Sequence, residues 1–144
     1  MNYLALLESG IDNWNQWRAE HPDEECDLSG QDLREGYFFE GNFSGVNLTA
    51  ARRNQACLIG ANLSGANLSE ADLSGAYMGD ANLQGANLRQ AILSETNLNR
   101  ADLRQANLTG ANVAEANTYK AQFSKAQFSK AQDSEGFAEC DADS

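Results

Sequence analysis

The chain lacks the features of nucleic-acid-binding, membrane-spanning and exported proteins. It has 10 basic residues against 21 acidic ones among its 144, a formal net charge of -11, so we do not expect it to bind bare nucleic acid or an anionic membrane. No apolar run approaches the roughly 18 residues of a membrane span. The N-terminus, MNYLALLESG, lacks the basic and continuous apolar regions of a signal peptide. We therefore expect a soluble, cytoplasmic protein.

Residues that commonly carry chemistry are also scarce. His21 is the single histidine, and the three cysteines, Cys26, Cys57 and Cys140, have no CxxC spacing. This pattern favours free thiols in a reducing compartment over a disulfide framework. The chain has no HExxH, Walker or GxGxxG motif and no recognisable nucleophile–base pair. We expect no enzymatic activity, no metal site and no cofactor.

What the chain does contain is a repeat of five residues that runs in one phase from residue 26 to residue 135. Its clearest part reads ANLSG ANLSE ADLSG at 61–75. Of the 22 pentapeptides, 16 begin with Ala and 19 carry Leu, Phe, Met or Val at the third position. The repeat divides the chain into a leading segment, 1–25, a repeat domain, 26–135, and a C-terminal tail, 136–144.

A period of five fits neither an α-helix nor a flat strand. In a helix the third-position residues would drift around the axis, and in a strand of period two they would alternate between opposite faces. A coil with one pentapeptide on each side can instead bury every first and third position. The Asn or Asp, Ser and Gly of the remaining positions suit the turns between the sides.

The A(N/D)LxG pattern resembles that of the pentapeptide repeat family and covers about three quarters of the chain. The arrangement LL..G...WN.WR...P at 6–22 is similar to the openings of cyanobacterial members. The resemblance implies an all-β solenoid, a right-handed quadrilateral β-helix with four pentapeptides in each coil. At a strand spacing of about 4.8 Å, the repeat domain would form a rod roughly 26 Å long.

The leading segment has the pattern of an N-terminal α-helical cap. Its apolar residues recur at steps of three or four: Leu4, Leu7, Ile11, Trp14 and Trp17. We expect Gly10 to interrupt the helix, Asp12 to N-cap a second one and Pro22 to follow its end. We predict that this cap covers the open end of the repeat core. The alternative is a partner-docking helix with two exposed tryptophans.

Several repeats depart from the pattern. Gly36 and Gly41 replace Ala in two of the four repeats whose third residue is Phe, those of Phe38 and Phe43, which suggests an exchange of volume between the two positions. Three third positions are polar: Arg53, Thr118 and Asp133. An unpaired arginine on an apolar axis would cost several kcal/mol, so we predict that segment 50–56 bulges and lets Arg53 reach solvent. We also expect the regular core to stop near residue 130, with Phe137 folding over it.

With four repeats in a coil, every fourth pentapeptide lies on the same face. The face formed by 36–40, 56–60, 76–80, 96–100 and 116–120 carries the following residues at its outward second and fourth positions: Tyr37, Phe39, Cys57, Ile59, Tyr77 and Tyr119. We call these six residues the aromatic strip. Clustered exposed aromatic residues indicate a protein-contact surface. The alternative is that the N-terminal helices or a neighbouring protomer cover the strip as ordinary core.

A second face is acidic. The repeats 31–35, 51–55, 71–75, 91–95, 111–115 and 131–135 hold seven acidic residues, and their three arginines all lie in the first two coils. The unbalanced part of this face consists of Asp72, Glu95, Glu115, Asp133 and Glu135. The whole repeat domain sums to only -3, with 12 acidic residues against nine basic ones. Most of the net charge therefore lies in the two ends of the chain.

Two functional hypotheses follow. The first is a non-enzymatic protein–protein interaction, scaffolding or regulatory module that binds a protein partner of unknown identity through the aromatic strip, with a homodimer as one form of this binding. The second comes from the resemblance, because some pentapeptide repeat proteins mimic duplex DNA and inhibit or protect type II topoisomerases such as gyrase. An acidic face fits the second hypothesis, whereas the short rod and its small net charge argue against it.

Overall fold

The structure is a four-sided β-helix whose N-terminal end is closed by two short helices. In this computed structural model, which describes residues 1–131, α1 spans Tyr3–Glu8 and α2 spans Ile11–Glu20. Each side of the β-helix contributes a single bridge residue, at the second position of its pentapeptide. The bridges are parallel and join residues 20 positions apart, from Asp27 with Asn47 to Asn107 with Gln127. A constant offset of 20 residues means four pentapeptides in each coil, as predicted.

Backbone hydrogen bonds connect neighbouring coils in both directions. The N–H of Leu63 donates to the carbonyl of Asn82 over 2.7 Å, and the N–H of Asn82 donates back to Ala61 over 2.9 Å. Within the turn, the Asn62 side-chain oxygen accepts from the backbone N–H and the hydroxyl of Ser64, at 3.0 and 2.7 Å. These bonds explain why Asn or Asp stands at the second position and Ser at the fourth.

The fifth position of every described repeat turns the corner in the left-handed conformation. From Gly30 to Lys130 the φ angles at this position lie between 54° and 72°. Glycine adopts this conformation without steric cost, whereas any other residue is strained in it. This requirement accounts for the recurring Gly at the end of the repeat.

The core follows the repeat, because first and third positions point inward. Leu63, Leu68 and their equivalents along the rod are fully buried. A Cβ added to Gly36 would lie 2.2 Å from Cζ of Phe38, and one added to Gly41 would lie 2.5 Å from Cε2 of Phe43. The two rings thus occupy the space that alanine methyl groups fill elsewhere, as the sequence suggested.

Arg53 does not reach solvent, and the prediction that segment 50–56 bulges is wrong. Its neighbour Arg52 bridges in register to both Asp32 and Asp72, so the backbone stays in phase. The Arg53 side chain is fully buried, and its guanidinium lies 5.1 Å from the ring centre of Phe38 and 4.6 Å from that of Phe43. Its nitrogens have no hydrogen-bond partner among the described residues. Arginine tolerates this site because its planar, weakly hydrated group stacks on aromatic faces, although burial lowers its pKa to about 9.

The helices cover the open end of the coil, as predicted. Trp14 is fully buried, stacks on Phe43 with ring centres 5.5 Å apart, and donates its indole N–H to the carbonyl of Asn42 over 2.7 Å. Arg18 is also buried and donates to the carbonyls of Glu24 and Ser44, at 3.0 and 2.9 Å. The alternative with two exposed tryptophans is therefore wrong.

Two details of the helical cap and the last coils complete the described fold. Gly10, with φ of 125°, is the N-cap residue of α2, so Asp12 lies in the first turn and does not cap the helix. At the other end Phe123 is buried and its ring centre lies 5.7 Å from that of half-buried Phe128. The predictions for Asp133, Glu135, Phe137 and Cys140 concern residues outside those described. No helix among residues 1–131 is long and apolar enough to cross a membrane.

Candidate protein-interaction surface

The aromatic strip lies on one side of the rod in two columns. We number the coils from 26–45, coil 1, to 106–125, coil 5. Parallel bridges align Tyr37 with Cys57, and Cys57 with Tyr77, in the second-position column. The same register aligns the fourth positions, where Phe39 and Ile59 precede Gly79, and Tyr119 closes the column. Neighbours in a column are about 4.8 Å apart.

Five of the six strip residues are exposed to solvent. Their exposed fractions are as follows: Tyr37 75%, Tyr119 59%, Tyr77 53%, Phe39 42% and Ile59 37%. Cys57 is half-buried between its neighbours. The helices α1 and α2 pack on the end of coil 1 and leave these five side chains uncovered. The alternative in which the N-terminal helices bury the strip as core is therefore wrong for these five exposed residues.

A column of charged residues borders one edge of the strip at the fifth positions of the strip's own repeats, which the definition of the strip by second and fourth positions does not include. In chain order it consists of Glu40, Gly60, Asp80, Arg100 and Lys120. Its charged members are all exposed. Lys120 bends over the strip, because its Nζ lies 5.3 Å from the ring centre of Tyr119. Extending the same sorting to the fifth position would have revealed that this edge is acidic in the early coils and basic in the late ones.

Two depressions interrupt this side of the rod. A cleft of about 300 Å³ lies at Gly79, where the missing side chain leaves a gap bounded by Ile59, Asn99 and Tyr119. A groove of about 380 Å³ lies between the helical cap and coil 1, with Ile11 and Phe38 among its apolar walls. Tyr37 lines the groove as well and so connects it to the aromatic strip.

The acidic face is less available for binding than its composition suggests. The Asp72 carboxylate accepts from the backbone N–H and the hydroxyl of Ser74, at 3.0 and 2.7 Å, and thereby forms part of the turn. Asp32 is held by Arg34, whose Nε and Nη2 donate over 2.8 and 2.6 Å, and this contact lowers the pKa of Asp32 to about 2. Glu95 and Glu115 are exposed at their turns.

Residues that could carry catalysis have structural roles in the described part of the chain. The Cys26 thiol is buried with Nη1 of Arg18 3.2 Å away, and burial raises the pKa of this thiol. His21 stacks on Trp17 with ring centres 4.7 Å apart, at the end of α2. No group of three or more His, Cys, Asp or Glu residues within 1–131 is arranged to hold a metal ion.

The fold and this surface define a solenoid of the kind that generally serves as a structural or interaction module. Models of pentapeptide repeats match the chain in eight copies, over residues 24–65, 42–85, 66–105, 81–117 and 101–132. The chain belongs to the pentapeptide repeat family. Its fold is accordingly the right-handed quadrilateral β-helix, as the sequence implied.

A solved structure shows the same fold, and others are similar in sequence. Rfr23, a pentapeptide repeat protein from the cyanobacterium Cyanothece 51142, is 27% identical, with 85% of this chain and 99% of that chain covered and a TM-score of 0.74. HetL from Nostoc, a protein involved in heterocyst differentiation regulation, is 30% identical over 74% of this chain and 63% of its own, with a TM-score of 0.42. QnrB1, a plasmid-mediated fluoroquinolone resistance protein, is 17% identical over 74% and 67%, with a TM-score of 0.48. No curated protein matches the chain.

Proposed function

We propose that this chain is a non-enzymatic protein-binding module whose aromatic strip is the contact surface. The observation that supports this function is the exposure of Tyr37, Tyr77 and Tyr119, together with Phe39 and Ile59, on one side of a regular rod. Large side chains that leave water on binding contribute most of the affinity at protein interfaces. Backbone hydrogen bonds on both sides of each coil hold these residues in place, so little ordering would be needed on association.

The test replaces strip residues without disturbing the core. The double variant Tyr37→Ser with Tyr77→Ser should keep the wild-type circular dichroism spectrum, because both side chains project into solvent. The same variant should no longer capture its partner from the native host. Ile92→Ser is the matched control, since Ile92 is 40% exposed but lies on another face. Partner capture by the double variant at the wild-type level would contradict the proposal.

DNA mimicry receives less support from the charges. Residues 26–131 hold ten acidic residues against nine basic ones, and the ion pair of Asp32 with Arg34 neutralises part of the acidic face. A rod with so little net charge does not produce the strongly negative field of a DNA duplex.

The free thiols of Cys26 and Cys57 suit a reducing compartment, which supports the proposed cytoplasmic location.

A further inference from the structure

Corner residues border the aromatic strip on both sides. The fifth positions of the repeats that precede the strip's own form one side, which we call the acidic border: Glu35, Gln55, Gly75, Glu95 and Glu115. The fifth positions of the strip's own repeats form the other side, which we call the mixed border: Glu40, Gly60, Asp80, Arg100 and Lys120. The mixed border becomes basic in coils 4 and 5. In these two coils the strip therefore lies between acidic residues on one side and basic residues on the other.

The charges of coils 4 and 5 can be reached by another molecule. All four side chains, Glu95, Arg100, Glu115 and Lys120, are exposed. Among the described residues 1–131, none of these four takes part in an ion pair within the chain. A surface whose two borders carry opposite charges at the same level of the rod complements a copy of itself when each border meets the other one.

We propose that the partner of the aromatic strip is a second copy of this chain, laid face to face and parallel. This inference rests on the proposed function of the strip as a protein-contact surface. The two-fold axis runs along the rod, between the two columns of the strip, and it allows no shift along the rod, so each coil faces the same coil of the partner. Arg100 then lies opposite the partner's Glu95, and Lys120 lies opposite the partner's Glu115. The symmetry forms each of these ion pairs twice.

The same axis exchanges the two columns of the strip, so that second positions face fourth positions. In coil 1, Tyr37 lies opposite the partner's Phe39, and aromatic rings meet. In coil 2, Cys57 lies opposite the partner's Ile59. Apolar side chains therefore face apolar side chains in both coils and leave water together.

In coil 3 a large side chain meets a gap. Tyr77 lies opposite the partner's Gly79, where the missing side chain leaves the cleft of about 300 Å³. A cavity of about half that volume can hold a benzene molecule, so the cleft has room for the tyrosine ring. The glycine that interrupts the fourth-position column thus matches the tyrosine that protrudes from the second-position column.

Polar side chains take over in coils 4 and 5. Asn97 lies opposite the partner's Asn99, and Asn117 lies opposite the partner's Tyr119. Each amide NH2 group can donate to an oxygen on the other side. The interface is therefore apolar in coils 1–3 and is held by hydrogen bonds and ion pairs in coils 4 and 5.

One contact of this arrangement is repulsive, and we expect weak, reversible association. In coil 1, Glu40 lies opposite the partner's Glu35, and the net charge of -11 on each copy also opposes association. Five coils at about 4.8 Å give a contact only about 24 Å long, at the low end of the areas that specific interfaces bury. Dimers should form at high protein concentration and dissociate on dilution.

A copy that runs antiparallel fits less well. Its two-fold axis lies across the rod, so each border meets itself. The acidic border holds no basic residue, so it gains no attraction in any antiparallel register, and with coil 1 opposite coil 5 it would set Glu35 against the partner's Glu115. The parallel copy is the arrangement that brings the acidic border to Arg100 and Lys120.

The experiment is analytical ultracentrifugation of the full chain over a range of concentrations. Glu95→Arg and Arg100→Glu should each weaken dimerisation at least about tenfold, because each places like charges opposite one another twice. The double variant should restore the wild-type dissociation constant, and an equimolar mixture of the two single variants should form heterodimers. Both positions already hold a non-glycine residue in the left-handed conformation, so the exchange leaves the turns unchanged. Glu70→Arg and Lys125→Glu, at exposed corners away from the strip, are the matched controls and should change little.

Two further variants test the register. Glu40→Lys should strengthen dimerisation several-fold, because it replaces the repulsion by the partner's Glu35 with attraction. Gly79→Phe should weaken it, because the new ring fills the cleft that receives the partner's Tyr77. A Cβ at Gly79 would lie 3.7 Å from the carbonyl oxygen of Asn99, an ordinary contact, so the fold should accept the ring, and circular dichroism checks this.

Several results would overturn the inference. Among them are a wild type that stays monomeric at the highest attainable concentration and a double variant at Glu95 and Arg100 that dimerises no better than the single ones. A weaker dimer in Glu40→Lys, or a stronger one in Gly79→Phe, would mean that equal coils do not face each other. A monomeric wild type whose Tyr37→Ser, Tyr77→Ser double variant still loses partner capture would refute the second copy as partner and leave the protein-binding function standing. Dimerisation that survives that double variant would place the interface outside the strip.

Discussion

The buried Arg53 predicts that a neutral side chain at this position stabilises the fold. Burial lowers its pKa to about 9, far below the ordinary value of an arginine, which at about 1.4 kcal/mol for each pH unit corresponds to a cost on the order of 5 kcal/mol for the charged form. The cation–π contacts of the guanidinium with Phe38 and Phe43 each offset roughly 1–2 kcal/mol of this burial cost. Replacing Arg53 with Met, which is unbranched and packs well on rings, should therefore raise the free energy of unfolding by about 1–3 kcal/mol.

Equilibrium urea denaturation at neutral pH measures this change. Tryptophan fluorescence is a suitable signal because Trp14 packs on Phe43, which also contacts Arg53. Arg52→Met is the matched control, because Arg52 is the exposed neighbour on the same side of coil 2. Its effect should stay within about 0.5 kcal/mol, as for most surface substitutions.

The advantage of Arg53→Met should also depend on pH in one direction. Because the pKa of Arg53 is lower in the folded chain, the unfolded chain binds this proton more tightly between about pH 9 and the ordinary pKa of an arginine. The cost of the charge is fully present below pH 9 and is relieved as the pH rises through that window. Other titrating groups are common to both proteins, so the difference between wild type and variant should shrink above pH 9.

Two results would refute this reasoning about Arg53. A loss of 1 kcal/mol or more in Arg53→Met would mean that the guanidinium contributes more through its ring contacts than its burial costs. A stability difference that stays constant from pH 7 to above pH 10 would mean that the proton of Arg53 does not affect folding in that range.

Two further predictions concern the turns. Gly65→Ala should destabilise the fold by about 1 kcal/mol, because the turn holds this residue in the left-handed conformation, in which alanine is strained even though its methyl group has open space. Ala50→Gly, at an equivalent turn, should stabilise the fold in the same urea assay. Arg104 holds the pKa of Asp102 below its usual value, and this contribution to stability is present above about pH 4 and lost as the pH falls through the lowered pKa. In an NMR titration Arg104→Ala should raise the pKa of Asp102 and Arg89→Ala should not; equal midpoints in all three proteins would contradict this.

The sequence predicted the rod and its faces because each position of the repeat has one environment. The register places residues 20 apart in one column, so knowing where Tyr37 points also determines where Tyr77 points. The helical cap followed from the spacing of Leu7 and Trp14, which bury against the end of coil 1. The first residue of α2 was harder to predict from the sequence, because Gly10 and Asp12 are both plausible N-caps. The sequence also does not show that Ile11 packs near Gly41.

The prediction for Arg53 failed because each departure from the repeat was considered separately. Phe38 and Phe43 precede it by 15 and 10 residues, and only the long arginine arm crossing the core brings the three side chains together. On its other side, Phe43 stacks on Trp14. The arginine, the two rings and the tryptophan therefore form one layer between the leucine ladder and the helical cap. An end coil faces a helix instead of another coil, so the departures of coil 1 and the neighbouring Arg53 of coil 2 have a common physical cause.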